Sequence, residues 1–330
     1  MKKIFITGIA GFIGFHLAMH LQKRGDHVFG LDNFNPYYDP SLKRLRASLL
    51  QKAGVKIYEG DITDLTTLPQ PATHLVHLAA QAGVRRSFTH PEEYIRNNVQ
   101  GFSTILELCK HHPTMTLIYA SSSSVYGLNK KVPFSEIDKT DQPANLYGAT
   151  KKANELMAAS YHHLFGIRSI GLRYFTVYGP WGRPDMAYFH FADHLIKGRP
   201  ISVFNYGKMQ RDFTYIDDIV EGTVAAIDSN LACEIINLGN HKPSSLLALI
   251  ELLENYLGKK ATKNLLPAPK GESLSTFADI TKAKKLLGFQ PRTILKKGLA
   301  NFVEWFLDFT TNQNNHIKIK KGRSETNGTT

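Results

Sequence analysis

The feature that most constrains this chain is TGIAGFIG at residues 7–14, set directly behind the apolar run KIFI at 3–6. Gly8, Gly11 and Gly14 predict a tight turn, and the following GFIGFHLAMHLQKRG has the apolar spacing of a helix. Glycines at such a turn let the backbone approach a bound group closely. The helix N-terminus then offers N–H groups to an anion such as a pyrophosphate. An ordinary βα connection can look the same, so the motif needs company to mean a dinucleotide site.

That company follows along the chain. HVFGLDN (27–33) is a second strand ending at Asp32, about 20 residues beyond the glycines, where a carboxylate accepts bonds from ribose hydroxyls. It would also repel a 2′-phosphate, which favours NAD over NADP. VKIYEGDI (55–62) places Asp61 and Ile62 at the end of a third strand, within reach of an adenine; a turn or helix cap is the competing role for Asp61. THLVHLAA (73–80) and TLIYASSSS (116–124) are further strands, RSIGLRYFTVYG (168–179) is a strand running into a loop, and a helical segment covers 90–112. This alternation predicts an α/β fold with a Rossmann-type doubly wound parallel sheet, and the apolar strands predict burial on both faces. The expected division is a cofactor-binding domain over 1–175, to which 211–236 returns, and a smaller α/β substrate lobe over 176–310. A basic, disordered tail is expected over 311–330.

Composition narrows the function. Of 330 residues 42% are hydrophobic and 21% charged, with a net charge of +12. The basic residues are scattered or lie in HIKIKKGRSETNGTT (316–330), so an anionic small substrate is expected rather than nucleic acid. Cys109 and Cys233 lack metal-type spacing and suit a reducing compartment. His190 and His194 have a metal-ligand interval but no HExxH glutamate, so no metal is expected. No run is long enough to span a membrane and no signal cleavage site follows the N-terminus, giving a cytoplasmic expectation.

LYGATKK (146–152) puts Tyr147 and Lys151 on one helix face. Alone the pair is weak. In order with TGxxGxxG, Asp32, SSSSVYG (121–127) and RDFTYIDD (211–218), it makes the chain resemble the extended short-chain dehydrogenase/reductases of the NAD-dependent epimerase/dehydratase type. The resemblance implies that Tyr147 is the acid/base, that Lys151 lowers its pKa, and that Ser122 contacts the same substrate hydroxyl, with Ser124 beside it. It implies a cofactor site made by Gly8, Gly11, Phe12, Ile13, Gly14, Asp32, Asn33, Asp61, Ile62, Leu78, Ala79, Ala80, Asn97 and Tyr174. It also implies a homodimer formed through two helices of each copy.

Four stretches, DNFNPYYD (32–39), HLAAQAGVRRS (77–87), SSSSVYG and FTVYGPWGRPDMA (175–187), are similar to UDP-glucuronate 4-epimerases. That likeness implies C4 epimerisation of UDP-glucuronate to UDP-galacturonate through a transient ketone. Substrate contacts are then expected from Arg85, Ser123, Thr176 and Arg183, with Arg211 on the diphosphate. Related dehydratases carry acidic residues in the serine run and decarboxylases a glutamate at Ser124; hydroxyls cannot supply that acid chemistry. The plant enzymes carry a membrane anchor, and a soluble bacterial-type form is the expectation here. PAPKGESL (267–274) departs from the family's P-G-D turn, leaving Lys270 and Glu272 as substitutes of uncertain alignment. The alternatives are epimerisation of another UDP-hexose and a non-catalytic NAD- or RNA-binding Rossmann protein.

Overall fold

A computed structural model describes residues 1–268 and 273–326. Its first half alternates strand and helix: β1 (Lys3–Thr7), α1 (Phe12–Arg24), β2 (His27–Asp32), α2 (Pro40–Lys52), β3 (Lys56–Glu59) and β4 (His74–His77). A continuous helical stretch follows, α3 (Pro91–Tyr94), a π segment (Ile95–Gln100) and α4 (Gly101–Lys110). Next come β5 (Thr116–Ser122), α5 (Leu146–Phe165) and β6 (Ser169–Tyr174).

The remainder is more irregular. It comprises β7 (Thr176–Tyr178), α6 (Ala187–Ile196), β8 (Ile201–Phe204), β9 (Gln210–Tyr215), α7 (Ile216–Asp228) and β10 (Cys233–Leu238). After these come β11 (Pro243–Ser245), α8 (Leu246–Leu257), β12 (Lys263–Leu266), β13 (Ser275–Thr276), α9 (Thr281–Leu287) and α10 (Leu295–Thr326).

Seven parallel strands form the main sheet in the order β10-β6-β5-β4-β1-β2-β3. Successive side chains of a strand point to opposite faces. Ile4 and Ile6 accordingly join one buried cluster, and Phe5 with Phe29 the other. Each such side chain contributes about 1.5–3 kcal/mol by leaving water, so both faces must be covered by helices. This explains why the strands read as unbroken apolar runs.

Two departures from the sequence reading bear on the site. The run 168–179, expected as a strand running into a loop, carries a second strand where the loop was expected: β6 pairs within the main sheet, whereas β7, one residue later, pairs with β9 in a small second sheet. Phe175 lies at this switch, so the chain leaves the main sheet where the two cavities described below meet. The second departure is the tail. Expected to be disordered from 311, the chain is helical through Thr326, since no glycine or proline interrupts it between Leu299 and Lys321. Residues 327–330, and Lys270 and Glu272, lie outside the described residues.

Candidate active site

The glycine turn leaves no room for side chains. A Cβ on Gly14 would lie 2.2 Å from the Gly8 carbonyl oxygen, and one on Gly8, whose φ is +73°, would lie 2.7 Å from the Ala79 nitrogen. The result is bare backbone at the start of α1, where Gly11 is the N-cap and makes no side-chain capping bond. That arrangement fits a pyrophosphate. Asp32, buried at the end of β2, accepts bonds from the Ala10 and Phe34 amides at 3.0 and 2.9 Å. It thereby holds the glycine turn while lining the cavity itself.

A cavity of about 250 Å³ opens above this turn. Gly8, Gly11, Phe12, Ile13, Gly14, Asp32, Asn33, Ile62, Leu78, Ala79, Ala80, Asn97 and Tyr174 all line it. Of the expected cofactor set only Asp61 is absent from the wall. Its carboxylate accepts from the amide and hydroxyl of Thr63 at 3.0 and 2.9 Å and from Asn33 Nδ2 at 2.9 Å. The capping role is the one the structure displays for Asp61, with Asn33 as its link to the cavity.

Tyr147, Lys151 and Ser122 all line this cavity. Helix α5 starts here because Asn145 caps it, its side chain accepting from the Gly148 amide at 2.9 Å. Gly148 lets the helix press against the serine loop: a Cβ there would lie 2.5 Å from the Ser124 carbonyl oxygen. Ser122, 8% exposed, bonds to the phenol of Tyr147. Its Oγ lies 3.2 Å from that of Ser124 and accepts from the Ser124 amide at 3.1 Å.

Burial raises the phenol's pKa, and the Ser122 bond and the charge of Arg183 draw it back down. The ammonium of Lys151, 2% exposed, lines the same cavity, donates to the Ala120 carbonyl at 2.8 Å, and has its own pKa lowered by burial to about 8.

A second cavity, of about 650 Å³, adjoins the first, and Ser122, Tyr147, Tyr174, Phe175 and Arg183 line both. Ser123, Ser124, Arg85, Thr176 and Arg211 line the larger one. Arg85 lies over the ring of Phe204, 4.2 Å from its centre. Arg211 donates to the carbonyls of Gln210 and Leu274. All five expected substrate contacts therefore open on one space. His190 lines it too, 4.0 Å ring to ring from His194, but no group of three metal-binding side chains occurs among the described residues.

Sequence reasoning missed several residues. Tyr37 lines both cavities and donates to Asp185 at 3.1 Å, and Asp185 in turn grips Arg183 through both carboxylate oxygens. Lys43, buried in α2, lines the smaller cavity and donates to the Asn35 carbonyl at 2.9 Å. The π segment carries Asn97, and beside it Asn98 Nδ2 donates to Thr150 of α5 at 3.1 Å. NPYYD signalled the first group only as part of a resemblance, because no chemistry is legible in a tyrosine until its partner is known.

The chain is similar to known proteins over most of its length. The model of the NAD dependent epimerase/dehydratase family matches residues 4–239. UDP-glucuronate 4-epimerase 4 of Arabidopsis thaliana is 50% identical over 329 residues, covering 93% of this chain and 75% of its own length. The crystal structure of UDP-glucuronic acid 4-epimerase from Bacillus cereus, in complex with UDP-glucuronic acid and NAD, has a TM-score of 0.87 at 39% identity, with 93% of this chain and 99% of that one covered. UDP-glucose 4-epimerase from Thermotoga maritima, solved with UDP-glucose, gives 0.83 at 29% identity, with 93% and 99% covered.

Proposed function

The chain belongs to the NAD dependent epimerase/dehydratase family, and on that premise we propose that it is an NAD-dependent isomerase converting UDP-glucuronate to UDP-galacturonate by C4 epimerisation through a transient 4-keto sugar. The observation that carries this reading is the meeting of two cavities at Ser122, Tyr147 and Arg183: one is walled by the glycine turn, the other by hydroxyls and arginines. We assign the main-sheet module to NAD and the smaller lobe to the sugar nucleotide.

NAD, when bound, supplies a hydride acceptor that returns the hydride, and a positive charge near the phenol. Tyr147 takes the proton from the C4 hydroxyl as general base and gives it back as acid, a role that typically contributes 10²–10⁴-fold. Ser122 orients that hydroxyl through its own, and Ser124 extends the hydroxyl surface. Thr176, Ser123, Arg183 and Arg85 line the larger cavity and are assigned as donors to the C6 carboxylate, and Arg211 suits a diphosphate. The serine run offers no carboxylic acid for water elimination or decarboxylation.

We further assign a cytoplasmic enzyme with no nucleic-acid ligand; no helix among the described residues is long and apolar enough to cross a membrane. A homodimer through the π segment of the first helical stretch and α5 is supported by the exposure of Ile95 on the former and of Leu156, Leu164 and Phe165 on the latter. Proton NMR of UDP-glucuronate incubated with the protein and NAD, beside UDP-glucose and UDP-N-acetylglucosamine, tests the reaction. Galacturonate signals from the uronate alone are expected. Turnover of a neutral sugar instead would move the assignment to another UDP-hexose, and a UDP-pentose product would reopen decarboxylation.

A further inference from the structure

We propose that Arg46 is a positioning residue for this reaction: from α2 its guanidinium fixes the Trp181-Gly182 peptide, and with it the place of Arg183 in the two cavities that Tyr147 also lines. The proposal rests on the reading of Tyr147 as the base.

Arg46 is completely buried. Its Nη1 donates to the Ala10 carbonyl at 3.1 Å and the Tyr38 hydroxyl at 2.8 Å. Its Nη2 donates to the consecutive carbonyls of Trp181 and Gly182, at 2.5 and 3.1 Å. All four acceptors are neutral. A buried cation without a carboxylate partner is a costly way to join two segments, since neutral oxygens return only part of its hydration. What a guanidinium offers is a rigid planar fork that reaches two segments at once, which an ammonium on a flexible stem does not. One branch holds the glycine turn of the cofactor cavity. The other holds the turn that ends in Arg183.

That turn needs holding. Trp181 has a φ of +57°, in the left-handed region that a bulky residue rarely adopts. A Cβ on Gly182 would lie 1.8 Å from the Tyr188 hydroxyl, so the peptide has little room to settle elsewhere. His16 of α1 donates to the carbonyl just before, Pro180, at 2.9 Å. Three successive carbonyls, from 180 to 182, are thus captured by side chains of the two helices that flank the glycine turn. Beyond the turn, Asp185 fixes the guanidinium of Arg183, whose charge favours the ionised phenol of Tyr147. Arg46 touches none of the reacting atoms in this scheme and acts through the peptide that carries Arg183.

The test is the pH profile of kcat/KM for UDP-glucuronate with the NAD-loaded enzyme, in Arg46→Met, Arg183→Met and the double variant. Loss of the Arg183 charge at the phenol moves the ascending limb to higher pH, costing about tenfold in rate below the limb for each unit moved. Arg46→Met is expected to move it the same way, and the double variant no further than Arg183→Met alone. Arg46→Lys keeps a charge in the pocket but loses the fork. It is expected to stay shifted, and it serves as the readout should Arg46→Met not fold. A limb that moves with Arg183→Met but stays in place in the folded Arg46 variants overturns the positioning role and leaves the base assignment standing. Additive shifts in the double variant overturn it as well. A Tyr147→Phe enzyme with undiminished turnover overturns the base assignment itself, and the proposal with it.

Discussion

Arg173 of β6 holds Glu155 of α5 through two parallel bonds of 2.8 Å, Nε to Oε1 and Nη2 to Oε2. Both side chains are 3% exposed. Glu155 lies one turn beyond Lys151 and also accepts from Ser121, the neighbour of Ser122, at 2.7 Å. The third nitrogen of Arg173 donates to Tyr126 at 2.9 Å, and Tyr126 donates to Asn237 of β10 at 2.7 Å. Helix α5, the serine loop and two adjacent strands are therefore joined by one buried polar chain. Arg173→Met takes the buried guanidinium from Glu155 and leaves Ser121 and the longer 3.4 Å contact with Lys152, and urea unfolding should show a loss of about 3 kcal/mol. Adding Glu155→Met should restore most of it, because the buried charge is then gone. Equal losses in the single and double variants would mean that packing, rather than charge, holds the helix there.

Gly14→Ala tests the glycine turn. The added methyl meets the Gly8 carbonyl oxygen, a backbone atom that no side-chain rotation can move away. The turn must shift, and NAD affinity measured by calorimetry should fall by at least about tenfold, a loss of about 1.4 kcal/mol. Unchanged NAD affinity in a folded variant would remove the close-approach argument.

Ser122→Ala removes the hydroxyl that draws the Tyr147 pKa down. The sign follows directly: the phenol's pKa rises, so the base form is reached only at higher pH. A hydrogen bond to a charged group is worth about 1.5–3 kcal/mol, so the ascending limb of the kcat/KM profile should move up by about 1–2 units. Activity lost equally at every pH would assign Ser122 to substrate binding alone.

His77 bears on acid stability. Fully enclosed at the end of β4, with Nδ1 2.8 Å from the Thr7 hydroxyl, it has its pKa lowered by burial to about 3. In an unfolded chain it would titrate near 6.5. Its contribution is therefore complete above pH 6.5 and declines as pH falls, because the unfolded state binds the proton first, at about 1.4 kcal/mol per unit. His16 and His74, lowered to about 4, add to the same slope. His77→Gln should flatten the fall of the unfolding midpoint between about pH 6.5 and 5. A slope identical to that of the unaltered protein would place the acid sensitivity elsewhere.

What the sequence made legible was local. Strands buried on both faces announce themselves as apolar runs, the glycine turn as a spacing, and Tyr147 with Lys151 as helix neighbours, since each depends on residues close in the chain. Arg46 was invisible because two of its partners are carbonyls 135 and 136 residues away on another lobe. The break at Phe175 was equally hidden: β6 and β7 are both apolar and differ only in which strand they pair with. Asp61 shows the converse, a carboxylate at the expected position with one oxygen taken up by its own turn and the other accepting from Asn33. The bearing of Arg183 on the Tyr147 phenol was hidden as well, because its loop is remote in sequence.

Trp181, which opens outward from the turn carrying Arg183, lies 5.3 Å ring to ring from Trp305 and 6.1 Å from Phe309, both on α10. On a ribosome, Tyr147, Ser122 and the entire glycine turn emerge well before that helix is made. Until α10 arrives, the indole has the ring of Phe15 beside it but lacks those of Trp305 and Phe309. The side chains that line the two cavities are thus made early, and the aromatic support of the turn beside them comes last.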